Sequence, residues 1–229
     1  MSDEVPHLTD RRLRTPRAAA LAGILFALLL GTSLILIRIS IPEDPADGGR
    51  WLEERGSTVA LALGLAPFAG IAFLWFIGVV RDRIGSLEDR FFSSVFFGSG
   101  LLYLAMMFVS AAFAGGLLST YAIIPAQLVD SGIYTFGRAI MWQISNIYAI
   151  RMAGVFMISL GTIWVRTHTK PRWLVFLTYG LALVLLVSIS YSLWVTLIFP
   201  GWVLIISVYI LALNLRSEGR EDGLAITLE

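Results

Sequence analysis

Residues 17–38 read Arg-Ala-Ala-Ala-Leu-Ala-Gly-Ile-Leu-Phe-Ala-Leu-Leu-Leu-Gly-Thr-Ser-Leu-Ile-Leu-Ile-Arg. Between the two arginines, Ala18 to Ile37 carries no charge. A helix needs about 20 apolar residues to cross a hydrocarbon layer of roughly 30 Å, and this run has that length. Arg11, Arg12, Arg14 and Arg17 precede it, which is also how a cleaved leader begins. A leader's apolar segment is only about 7–15 residues long and ends in a small-x-small site. Here the exit reads Leu36-Ile37-Arg38-Ile39, so the run is expected to be a retained first span.

Composition extends that reading to the whole chain. Of the 229 residues, 57% are apolar and 14% are charged. A water-soluble chain carries about 25% charged residues, enough to cover its apolar surface. Further apolar runs follow at 59–80, 91–118, 147–165 and 173–190. The run at 200–215 is shorter and opens on Pro200, which suits a first helical turn because its missing N–H costs nothing there. The alternative for the last two runs is one long kinked helix, giving five spans. The expected fold class is therefore all-α: a polytopic transmembrane helical bundle of six spans forming one membrane domain over 1–229.

Orientation follows from the basic residues, which collect on the cytoplasmic side near span ends. Arg11, Arg12, Arg14, Arg17, Arg81, Arg83, Arg90, Arg166, Lys170, Arg172, Arg216 and Arg220 fall on one side. Only Arg38, Arg50, Arg55, Arg138 and Arg151 fall on the other, where the first loop is also acidic (Glu43, Asp44, Asp47, Glu53, Glu54). Both termini are thus expected in the cytoplasm, with the chain multi-pass in the cell membrane. Tryptophan gathers at both interfaces. Trp75, Trp164 and Trp173 are expected near inner ends, and Trp51, Trp142, Trp194 and Trp202 near outer ends.

Two polar features stand out. Residues 119–145 are too polar to span and too apolar for a free loop, so they are expected to lie as an amphipathic segment on the outer surface. Asp130 is the only acid between Asp89 and Glu218. At 100° per residue, Gln143, Asn146 and Arg151 share one helix face. With Asp130 and Arg138 they form a candidate outer polar cluster. The plain alternative is that Arg151 pairs with Asp130 or reaches headgroups, since it lies about 22 Å from Arg166 along a helix. The second feature is the loop Gly78-Val79-Val80-Arg81-Asp82-Arg83-Ile84-Gly85. It resembles the Gly-x-x-x-Asp-Arg-x-Gly core of the major facilitator transporters, with Gly78, Asp82, Arg83 and Gly85 at the matching positions. The basic pair that usually follows is Ser86-Leu87 here. The plain reading is arginines favouring a helix C-terminus and a glycine making the turn.

Several chemistries have no residues to carry them. With no cysteine there is no disulfide, iron–sulfur or thiol redox centre. His7 and His168 lie outside the apolar runs, so no run offers a haem ligand pair or a base for an intramembrane serine nucleophile. We expect no cofactor, no metal site and no nucleic-acid partner. The expected partners are the lipid bilayer and either a second copy or another membrane protein.

The Arg-rich start, the amphipathic segment before the fourth run, Pro171-Arg172-Trp173-Leu174 and Phe199-Pro200-Gly201-Trp202 together give a recognisable layout. It resembles a bacterial family of uncharacterised six-span membrane proteins. That resemblance implies the fold and no activity. Three functions are then in view: a non-catalytic subunit, scaffold or modulator of a membrane assembly; a small-solute transporter or channel protomer; and a lipid-modifying enzyme at the outer surface. Topology is directly testable because the chain lacks native cysteine. Ser217→Cys should react with a membrane-impermeant thiol reagent only after the membrane is opened, and labelling in intact cells would refute the six-span arrangement.

Overall fold

In an unbroken apolar run, a helix satisfies nearly every backbone N–H and C=O within the run itself. The computed structural model describes residues 11–42, 49–84, 90–130, 132–167, 170–187 and 193–226, with side chains described at all of these except 11–16, 83, 84, 90, 130, 193 and 216–226. All regular structure among the described residues is helical. In chain order the helices are α1 (Arg11–Ser40), α2 (Arg50–Glu54), α3 (Gly56–Ile84), α4 (Arg90–Ile123), α5 (Pro125–Asp130), α6 (Ile133–Gln143), α7 (Ile150–Thr167), α8 (Arg172–Val187) and α9 (Ile198–Ile226). A π-helical stretch, Ile144–Ala149, joins α6 to α7, and a 3-10 turn, Leu193–Leu197, leads into α9.

Five helical segments are long and apolar enough to cross a bilayer: Arg17–Ser40, Gly56–Asp82, Phe91–Ile123, Ile133–Thr167 and Trp194–Leu215. The fourth departs most from the sequence reading. It was expected to begin near 147 after a surface segment. Instead α6, the π stretch and α7 form one path of 35 residues, and α4 runs on to Ile123. Of the polar residues that suggested a surface segment, Gln127 and Gln143 are exposed, and Arg138 donates to a backbone carbonyl. A further apolar helix, α8, has 16 residues and is shorter than these five segments.

Contacts fix the directions. Ser33 of α1 donates to the Ala62 carbonyl of α3 (2.7 Å), and Phe26 stacks on Phe73 (4.5 Å), so these two helices are antiparallel. Phe96 of α4 lies 4.4 Å from Phe156 of α7, while Ser110 reaches the Met141 carbonyl, so this pair is antiparallel too. Trp173 and Tyr209 meet edge-to-face at one end of α8, and Thr178 accepts from Trp202 Nε1 (2.9 Å) further along. Helices α8 and α9 therefore form an antiparallel pair, not one kinked helix. We call the end where α1 starts and α9 finishes the near end, and the opposite end the far end.

The interior is aromatic. Phe73 is fully buried and its ring lies between 4.5 and 6.3 Å from those of Phe26, Phe76, Phe156, Phe199 and Tyr103. One side chain of α3 thus touches rings from α1, α4, α7 and α9. Small residues let the backbones close in: a Cβ on Gly154 would stand 2.9 Å from Leu186 Cγ, and one on Gly100 would stand 2.8 Å from Ile77 Cδ1. The outward faces carry large apolar side chains instead, such as Phe68 (62% exposed) and Phe176 (73%).

Tryptophan placement corrects part of the interface reading. Trp164 and Trp202, expected at opposite interfaces, lie 6.3 Å apart inside the bundle. Trp202 can be interior because Thr178 accepts its N–H, removing the cost of burying a lone donor. Trp75, Trp173 and Trp194 do face outward.

Truncating the central ring tests this packing. Phe73→Ala should lower the unfolding free energy by about 3 kcal/mol, the usual cost of deleting a buried phenyl. Titration with dodecyl sulfate in mixed micelles would measure it. A loss below about 1 kcal/mol would show that the ring is not a hub.

Candidate functional site

The π stretch organises the region that sequence singled out. A π turn widens the hydrogen-bond ladder and shifts the faces of everything after it. Here side chains fill the disturbed ladder. The Met141 carbonyl accepts from Ser110 Oγ of α4 (3.0 Å) and from Ser145 Oγ (2.8 Å). The Trp142 carbonyl accepts from Asn146 Nδ2 (3.2 Å). The Ile147 carbonyl accepts from Arg151 Nη1 (2.7 Å).

Beside this stretch lies a cavity of about 80 Å³ between α1, α3, α4, the end of α6 and the 3-10 turn before α9. Its wall is mostly carbon, with Ser33, Tyr103, Ser110, Ser145, Asn146 and Thr196 as polar exceptions on the inside. Arg38 stands at its far-end rim, its guanidinium 5.7 Å from the Trp194 ring. Asn146 is buried, and its Oδ1 has no hydrogen-bond partner among the described residues.

The far end is closed by a small cap. Gly49 and Gly132 start α2 and α6 with φ of 77° and 75°, which glycine adopts without strain. This lets α2 fold inward and bury Trp51 and Leu52 against Val59, Leu117, Leu128 and Tyr134. Trp51 Nε1 donates to Tyr134 Oη (2.9 Å), and Arg138 Nη1 donates to the same oxygen (3.2 Å). Arg138 also donates to the Pro42 carbonyl, and Arg55 to that of Ile39.

The structure separates the residues proposed as one outer cluster. Asn146 points into the bundle, Gln143 is exposed, and Arg151 is half-buried on its own helix's carbonyl. They lose their common face because the π turn breaks the 100° spacing. Arg138 belongs to the cap. Asp130 ends α5, and its side chain lies outside the described residues, as do the Arg83 side chain and Gly85. Of the inner-loop motif, Gly78 and Asp82 are exposed near the end of α3. Arg81 beside them stacks on Phe97 (4.5 Å). Arg166 stacks on Phe92 (4.6 Å) and Lys170 on Tyr209 (5.3 Å), so three near-end cations rest on aromatic faces.

Sequence reasoning missed Ser33, Tyr103 and Ser110 as cavity residues. The available signal was a hydroxyl inside an otherwise apolar run, which must find an acceptor when buried.

No family model matches the chain, and comparisons with curated proteins and with solved structures return no match.

The cap makes a specific prediction. Tyr134→Phe removes the acceptor of the buried Trp51 N–H and should cost about 1–3 kcal/mol. It should also let trypsin cut near Arg50 or Arg55 faster than in the parent, a local effect that limited proteolysis would detect. Unchanged cleavage would mean that this hydrogen bond does not hold α2 in place.

Proposed function

We propose that the chain resides in the cell membrane as a six-span bundle with both termini cytoplasmic, and serves as a non-catalytic subunit or modulator of a membrane assembly. The antiparallel seating of α8 against α7 and α9 supports the sixth span. Its 16 residues rise about 24 Å, a modest mismatch that lipid thinning and flanking residues accommodate. The excess of basic residues at the near end supports the orientation. Arg81, Arg166 and Lys170 on their aromatic faces belong to that set.

The assembly role rests on one observation. A Cβ on Gly31, Gly64, Gly98, Gly116, Gly180 or Gly201 would meet nothing within 4 Å. Each glycine within a helix costs about 1 kcal/mol relative to alanine. Gly70, Gly100, Gly137 and Gly154 account for that cost by allowing close contacts within the chain. The open ones do not. Small residues facing lipid are where a second helix can approach closely enough for dispersion contacts to hold it.

The test is native mass spectrometry on protein extracted with surrounding lipid. A stoichiometric partner or a second copy is expected, and Gly64→Leu or Gly116→Leu should release it without changing thermal unfolding. A lone protomer in the parent would defeat this reading. A transporter or channel protomer is the second reading, favoured by the cavity between α1, α3 and α4. It predicts solute flux in proteoliposomes that Asp82→Ala abolishes, and absence of flux in the parent would eliminate it.

A further inference from the structure

We infer that the cavity beside the π stretch is a binding site for the polar end of a neutral, lipid-like molecule bearing a hydroxyl group. The inference does not depend on the assembly role.

It starts from the Asn146 amide. The side chain is buried, with 4% of its surface exposed. Its Nδ2 donates to the Trp142 carbonyl (3.2 Å) and to Ser145 Oγ (3.0 Å). Exchanging the amide's oxygen and nitrogen would set an acceptor against the Trp142 carbonyl, so the orientation is determined by its neighbours. Oδ1 is then the atom left without a donor. A buried acceptor without a partner costs about 1–3 kcal/mol. Something that brings a donor recovers that cost.

The surroundings define the donor's carrier. Ser33 Oγ has given its proton to the Ala62 carbonyl, and Ser110 and Ser145 have given theirs to Met141. Toward the cavity these hydroxyls offer lone pairs. Asn146 Oδ1 and these hydroxyls are complemented by a donor, and a hydroxyl donates while remaining neutral and able to accept from the Tyr103 phenol that also lines the wall. A cation would sit near Arg38 on the rim and be repelled. The rest of the wall, including Phe26, Leu30 and Leu63, is apolar and matches an alkyl body.

Size and access agree. The space of about 80 Å³ exceeds the 10–15 Å³ that one water molecule requires, and it accepts the first few carbons of a chain. Met107 and Phe108 line the cavity and are themselves partly exposed on α4. A longer tail can leave past them along the outward face of the bundle. Water alone is the competing occupant. It has no alkyl body to fill the apolar part of the wall, and the experiment below separates it from an alcohol.

The test uses a diazirine-bearing octanol and the matching diazirine alkane, photolysed with the purified full chain in phosphatidylcholine vesicles. Adducts are mapped by peptide mass spectrometry. The alcohol should label peptides holding Met107 and Met141 about fivefold more than the alkane does, the factor one recovered hydrogen bond gives. Unlabelled octanol should compete. Asn146→Leu should reduce the alcohol's labelling to the alkane's level. Should that variant fail to fold, Ala111→Leu narrows the cavity while keeping the amide, and it too should lose the labelling. Equal labelling by both probes would overturn the inference. So would adducts confined to outward residues such as Phe68, or full labelling of a folded Asn146→Leu or Ala111→Leu. Absence of cavity labelling by either probe would mean a water-only cavity and would overturn it as well.

Discussion

The main core of the bundle is arranged around the ring of Phe73. Helices that share an apolar solvent gain nothing by hiding leucine from it, because a lipid tail is as apolar as the side chain. What remains to hold them is close packing, and aromatic rings add a preferred geometry to it. Phe73 meets Phe26, Tyr103, Phe156 and Phe199, each from a different helix, in stacked, tilted and edge-on arrangements. Gly100 lets α4 come close to Ile77 and Phe156, and Gly154 lets α7 come close to α8.

The π stretch is the second constraint, and it follows from the first. Phe156 and Trp164 must face the core from α7, while Tyr134 and Gly137 must face the cap from α6. The π stretch, with its wider turn, sets the rotation between them. Its cost is a disturbed ladder, which Ser110, Ser145, Asn146 and Arg151 satisfy from the side. The cavity and its unpaired amide oxygen lie where that repair is incomplete.

The two ends are built on different principles. At the near end, cations rest on the faces of Phe92, Phe97 and Tyr209, keeping their charge toward water. At the far end, arginines donate to backbone carbonyls left over where helices stop, and Trp51, Tyr134 and Arg138 lock a short helix inward. Among the described residues the near end is thus edged by cation–aromatic contacts and the far end by a folded cap.

Hydropathy alone determined that the chain is all helical, because an apolar run about 20 residues long has few other ways to satisfy its backbone. It also located most of the helices, and the placing of charges between them was legible as a two-sided pattern. Residues 119–145 were legible only in part: Gln127 and Gln143 are exposed, as on a surface segment, yet α6 continues through the π stretch into α7 as one path. Nor could the sequence place Trp202, because its burial depends on Thr178 arriving from another helix. The cluster of Gln143, Asn146 and Arg151 failed for the same kind of reason. A wheel of 100° per residue assumes an unbroken helix, and only the packing of α6 and α7 against separate clusters decides that this one contains a π turn. Local composition sets what a segment can bury. Which side chain finds a partner is settled between segments, when the helices meet.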